Sequence, residues 1–155
     1  MRVVGIDPGV SGAIALLDDS ERIVCDLPTE PVSKGRQVDP VALSHLLTAW
    51  GPARVVIEDN RANGGNGSLA NYSMGHSIGS IVAVVLLGGY PLLRIKPQDW
   101  QREVGLATVH AKDRKAASSA RARELFPVLH PDLKRVADHN RAEALLIAEY
   151  GRRQP

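Results

Sequence analysis

The sequence predicts an α/β domain, a mixed sheet in which a three-stranded antiparallel meander is continued by parallel strands and flanked by helices. Three observations predict it. Short β-branched runs open the chain with tight turns between them; a capped amphipathic helix then leads into a continuously apolar strand; and strand and helix patterns alternate from there on.

Arg2 to Ile6 is the first such run and ends at Asp7-Pro8-Gly9, where proline and glycine turn the chain. Ser11 to Leu17 returns as a second strand, closed by Asp18-Asp19-Ser20, and Glu21 to Leu27 adds a third. Pro28 to Asp39, rich in proline, glycine and charge, reads as a loop. Asp39 before Pro40 has the form of an N-cap with proline at the first helical position, and Val41, Leu43, Leu46, Leu47 and Trp50 follow at helical spacing until Gly51. Ala53 to Ile57 is continuously apolar, as a strand covered on both faces should be. Asn60 to Asn66 reads as a flexible loop, and Ser68 to Leu87 as a central helix whose small residues Ala70, Ser73, Ser77 and Ser80 allow close packing on the sheet. Pro91 to Ile95 is a fifth strand, and Ala111 to Leu125 and Arg141 to Tyr150 are two further helices. The order β-β-β-α-β-α-β-α-α is that of the ribonuclease H arrangement.

A chain of 155 residues with 44% hydrophobic and 23% charged residues has the size of one globular domain, here residues 1 to 155. Its formal charge of +2 does not announce a nucleic-acid binder. The distribution is more telling, because the first sixty residues lean acidic while Arg94 to Lys115 and Arg121 to Arg141 hold most of the bases. One cysteine, Cys25, allows no internal disulfide and suits a reducing compartment. Polar residues and glycines interrupt Ser68 to Tyr90, so no membrane span is expected, and the expected location is the cytoplasm.

Two carboxylates stand where buried strands end, Asp7 after Val3-Val4-Gly5-Ile6 and Glu58 after Val55-Val56-Ile57. An acid in such a place needs a partner, and if the two strands are neighbours the pair calls for a cation between them. Asp59 alternates to the opposite face. A third acid, Glu143, sits beside the core residues Leu145, Leu146 and Ala148 of the last helix, with Asp138 and His139 just before it. Acids from two strands and one helix are the donor set of Mg²⁺ or Mn²⁺, and a pair of such ions can activate water for attack on a phosphodiester. Asp138 is read either as a helix cap or as a ligand; helix geometry, four residues ahead of Glu143 on one face, favours His139, but the negative charge a hard cation wants makes Asp138 the expected further ligand, with His139 as a group behind it or a proton carrier. With one cysteine and scattered histidines, a zinc site is not expected.

At these residues the chain resembles the RuvC family of Holliday junction resolvases, in particular its compact phage-type members. The resemblance spans nearly the whole sequence: Gly5-Ile6-Asp7-Pro8-Gly9, Val56-Ile57-Glu58, Pro97-Gln98-Asp99-Trp100, Lys115-Ala116-Ala117-Ser118 with Glu124-Leu125-Phe126-Pro127, and Ala142-Glu143-Ala144-Leu145-Leu146-Ile147-Ala148. It implies an endonuclease acting on branched DNA, with Asp7, Glu58 and Glu143 as metal-holding acids and Glu143 standing where aspartate is commoner. The position three residues ahead of Glu143, a ligand in many members, is Asn140, so Asp138 or His139 takes that role. Lys115 matches the basic residue placed near the scissile phosphate, and the twofold symmetry of a four-way junction implies a homodimer.

Two other function classes meet the sequence less well. A phosphotransferase of the actin and sugar-kinase type needs two related lobes, for which the chain has no room. A DNA-structure-binding module without catalysis has no use for the acids at Asp7, Glu58 and Glu143. Nuclease action on flaps or RNA–DNA hybrids keeps the same chemistry with another substrate.

Overall fold

The computed structural model describes residues 1–59, 65 and 67–155. A five-stranded sheet has the order β3-β2-β1-β6-β7, formed by β1 (Val3–Asp7), β2 (Ala13–Leu17), β3 (Arg22–Asp26), β6 (Arg54–Glu58) and β7 (Leu92–Ile95). β1 pairs antiparallel with β2 and β2 with β3, whereas β6 lies parallel to β1 and to β7. The meander continued by parallel strands is therefore present as expected.

Alternation along β1 and β6 sends side chains into two apolar layers. Val4, Ile6, Val55 and Ile57 meet α1 (Pro40–Trp50) and α2 (Ser68–Leu87) on one face. Val3 and Val56 meet α3 (Pro97–Glu103), α4 (Arg114–Leu125) and α5 (His139–Arg153) on the other. Because Asp7 and Glu58 share the parity of Val3 and Val56, both acids point toward the layer of α3, α4 and α5. Asp39 caps α1 as expected, accepting from the amides of Val41 and Ala42 at 2.9 Å each.

Gly5 sets the distance between β1 and α5. A Cβ there would come within 2.3 Å of the Ala144 carbonyl oxygen and of the Ala148 amide nitrogen, both backbone atoms, so only hydrogen lets the helix lie this low on the strand.

Several expectations need correction. Pro28 to Asp39 is not all loop, because β4 (Thr29–Pro31) and β5 (Arg36–Val38) form a small antiparallel hairpin; a proline at an edge position and the charged run hid it. Pro97–Glu103 is a helix, with Pro97 in its first turn, that the periodicity of so short a segment could not announce. Ala111–Asp113 is a 3-10 turn preceding α4. α2 is buried at Ser77, Ile78, Ile81 and Val85, so of the small residues expected against the sheet Ser77 is covered while Ala70 is exposed, and Leu69, Tyr72, Leu86 and Leu87 are exposed as well. By length and composition alone α2 also reaches what a membrane crossing needs, a test that a helix packed on a sheet, as α2 is through Ile78, Ile81 and Val85, passes as well. The loop expected at Asn60 to Asn66 lies outside the described residues, except for Gly65.

Candidate metal and phosphodiester site

The parallel register between β1 and β6 runs Val3 to Arg54, Val4 to Val55, Gly5 to Val56 and Ile6 to Ile57. One step further along both strands stand Asp7 and Glu58, side by side at the C-terminal edge of the sheet. α5 crosses the same face over Gly5, and Glu143, just before Ala144, joins them. A cleft of about 360 Å³ is lined by these three acids together with the turn Pro8 to Gly12, Ala70, Ser73 and Met74 of α2, Lys115 of α4, and His139 and Asn140 at the start of α5.

The acids repel one another. Burial, then the nearby charges of Glu143 and Glu58, hold the Asp7 carboxyl well above its ordinary range, against a smaller opposing pull from Lys115. Burial, then Glu58, raises Glu143 to about 7, opposed by the Ser118 hydroxyl, Lys115 and Arg114. Carboxylates crowded in this way are what a divalent cation would neutralise, and their hard oxygen donors suit Mg²⁺ or Mn²⁺. Among the described residues no group of three or more His, Cys, Asp or Glu side chains is drawn together closely enough to hold a metal ion as it stands.

The two glutamates are held from behind. Trp100, fully buried, donates its indole N–H to Glu58 Oε2 at 2.5 Å, and the Ser118 hydroxyl donates to Glu143 Oε1 at 3.3 Å.

The residues preceding Glu143 part company. Asp138 is 4% exposed but turns from the cleft to Arg135, accepting from its guanidinium and from its backbone amide at 2.7 Å; that contact keeps its carboxyl below the ordinary range. It caps no amide of α5. His139 does line the cleft, with Nδ1 3.1 Å from the Val136 carbonyl oxygen, and in the neutral ring a proton donated there leaves Nε2 as the unprotonated nitrogen. Asn140 lines the cleft and ties α5 to the β1–β2 turn through the Ser11 carbonyl. Asp59, on the opposite face, pairs with Arg94 at 3.0 Å.

Lys115 stands exposed on the cleft wall. Sequence reasoning passed over Arg114, whose charge reaches Glu143 and whose buried Nε has no hydrogen-bond partner, and it quoted Trp100 and Ser118 only within motifs. A basic residue at a helix start was the one available signal for Arg114; side-chain contacts between helices leave none.

No protein-family model matches the chain. Over 124 residues, 77% of its length, the chain is 34% identical to the chloroplastic Holliday junction resolvase MOC1 of Chlamydomonas reinhardtii, and the match spans 14% of that protein's length. Among solved structures it is similar to T. thermophilus RuvC in complex with Holliday junction substrate, with a TM-score of 0.62 and 17% identity over 97% of this chain and 92% of that one. A second structure of Thermus thermophilus RuvC gives a TM-score of 0.59 and 20% identity over 98% and 96%. The chain is thus RuvC-like, carrying the RuvC fold over nearly its whole length and sharing sequence with a Holliday junction resolvase.

Proposed function

We propose that residues 1 to 155 form one RuvC-like nuclease domain that cleaves phosphodiester bonds in four-way DNA junctions, using Mg²⁺ or Mn²⁺ and two ions per site. The observation that carries this reading is the convergence of Asp7, Glu58 and Glu143 from two parallel strands and one helix on a single open cleft. Similarity to a Holliday junction resolvase, and to a RuvC solved with a junction, supports the choice of substrate.

Asp7, Glu58 and Glu143 would hold the metal. Bound there, it supplies Lewis-acid stabilisation of phosphate charge and acidifies water. Lys115, reaching over the cleft, pairs with the scissile phosphate and offsets its charge as the pentacoordinate centre develops. His139, on the cleft wall with Nδ1 beside the Val136 carbonyl, would stand as the further ligand through Nε2 in place of Asp138. The apolar outer side of α2, with Leu69, Tyr72, Leu86 and Leu87 exposed, supplies the face on which a second copy would pack, matching the twofold symmetry of a junction.

Incubation of the protein with four-way junction, flap, RNA–DNA hybrid and linear duplex in Mg²⁺ or Mn²⁺ tests the reading. Paired nicks in the junction, lost in Asp7→Asn while junction binding persists, are expected. Hybrid or flap cleavage without junction cleavage would move the substrate; no cleavage of any arm would overturn the proposal.

A further inference from the structure

We infer that Trp100 and Ser118 are positioning residues, two buried donors that clamp the two glutamates of the site from the side away from the cleft and thereby set its affinity for the metal. The inference rests on the metal reading above and concerns residues that do not line the cleft.

Glutamate has one more rotatable bond than aspartate. Asp7 is short and set directly by the end of β1, whereas Glu58 and Glu143 must each be ordered along a longer side chain, against mutual repulsion that pushes their carboxylates apart. Each finds an anchor. The indole N–H of Trp100 in α3 reaches Glu58 Oε2 at 2.5 Å, and the hydroxyl of Ser118 in α4 reaches Glu143 Oε1 at 3.3 Å. Both donors have no exposed surface.

A buried indole N–H needs an acceptor, and backbone carbonyls are the usual supply. Here the acceptor is a carboxylate at the mouth of the sheet. The rest of Trp100 packs in the layer with Val104, Ala122 and Leu145, so its position is fixed by the core itself. Core packing is thereby transmitted to one oxygen of Glu58, and α4 does the same for Glu143. Groups that orient ligands in this way ordinarily change metal affinity by roughly 10- to 100-fold when removed.

The test is Mn²⁺ binding, read from the paramagnetic resonance signal of the free ion, on wild type, Trp100→Phe, Ser118→Ala and Ser118→Thr, with thermal unfolding in parallel. Trp100→Phe should raise the Mn²⁺ dissociation constant by roughly 10-fold or more. The longer bond at Ser118 should give a smaller rise in Ser118→Ala, with near wild-type affinity kept by the hydroxyl of Ser118→Thr. Junction cleavage by both weakened variants should shift its half-saturating Mn²⁺ upward and recover at saturation, a split that lost packing alone would not produce. Folded Trp100→Phe and Ser118→Ala with wild-type Mn²⁺ affinity would overturn the inference. If Trp100→Phe does not fold, equal affinities for Ser118→Ala and Ser118→Thr would overturn it. A wild type that binds no Mn²⁺ would instead overturn the metal reading on which it rests.

Discussion

The guanidinium of Arg135 holds the carboxylate of Asp138 in a fork, Nε at 3.0 Å and Nη2 at 2.8 Å from the same oxygen. The second oxygen accepts from the Arg135 backbone amide, so Asp138 closes the short turn that launches α5. Its charge is spent inside this turn. Asp138→Ala should lower stability by about 1–2 kcal/mol and leave cleavage near wild type, because the lost contacts are a local cap and a partly exposed ion pair. Parallel thermal unfolding and junction-cleavage assays check this. A variant of normal stability that no longer cleaves, and that excess Mn²⁺ rescues, would return Asp138 to the metal.

His139→Ala is the counterpart. His139 lines the cleft and Asp138 does not, so loss of the imidazole should slow cleavage with little change in thermal unfolding. Unchanged turnover would leave Asp7, Glu58 and Glu143 as the whole set.

Glu143 makes the metal-free protein sensitive to pH. Its carboxyl is raised to about 7 from 4.5, so between these values the folded state keeps a proton that the unfolded chain has lost. Stability from this group therefore falls as pH rises through that window and levels off above it. In chelator, unfolding temperature should decline from pH 5 toward pH 7.5 more steeply in wild type than in Glu143→Gln. Mg²⁺ or Mn²⁺ should restore wild type more at pH 7.5 than at pH 5. Identical slopes for wild type and Glu143→Gln would show that Glu143 does not titrate there.

Lys115→Ala should slow junction cleavage by roughly 10²- to 10³-fold if Lys115 pairs with charge developing on the phosphate. A contact to one phosphate should also flatten the logarithmic salt dependence of junction binding by about one unit. Unchanged rate and slope together would make it an ordinary surface lysine.

Gly5→Ala tests how the site is assembled. The added Cβ would meet backbone atoms of α5 at 2.3 Å, and backbone cannot turn aside as a side chain can. A loss of about 3 kcal/mol is expected, with α5 lifted and Glu143 displaced from Asp7. Calorimetry together with Mn²⁺ affinity would register both effects, and a variant as stable as wild type would mean that α5 sits higher than the structure places it.

What the sequence determined by itself was the part written in local periodicity and local chemistry. Asp39-Pro40 marks a helix start, and Val3 to Ile6 and Val55 to Ile57 mark buried strands, because cap geometry and apolar runs act over a few residues. Asp7 and Glu58 stand out for the same reason, as acids that end such strands. Between Asp138 and His139 the sequence favoured Asp138, on charge and against helix spacing; the turn of the chain at Arg135 instead draws Asp138 aside and leaves His139 on the cleft. Trp100 above Glu58 and Ser118 behind Glu143 are contacts between residues 42 and 25 positions apart, made by helices packed on one face of the sheet. No local pattern encodes such pairs, because they exist only after α3, α4 and α5 have closed over β1 and β6, and that closure is set by packing of the whole apolar layer.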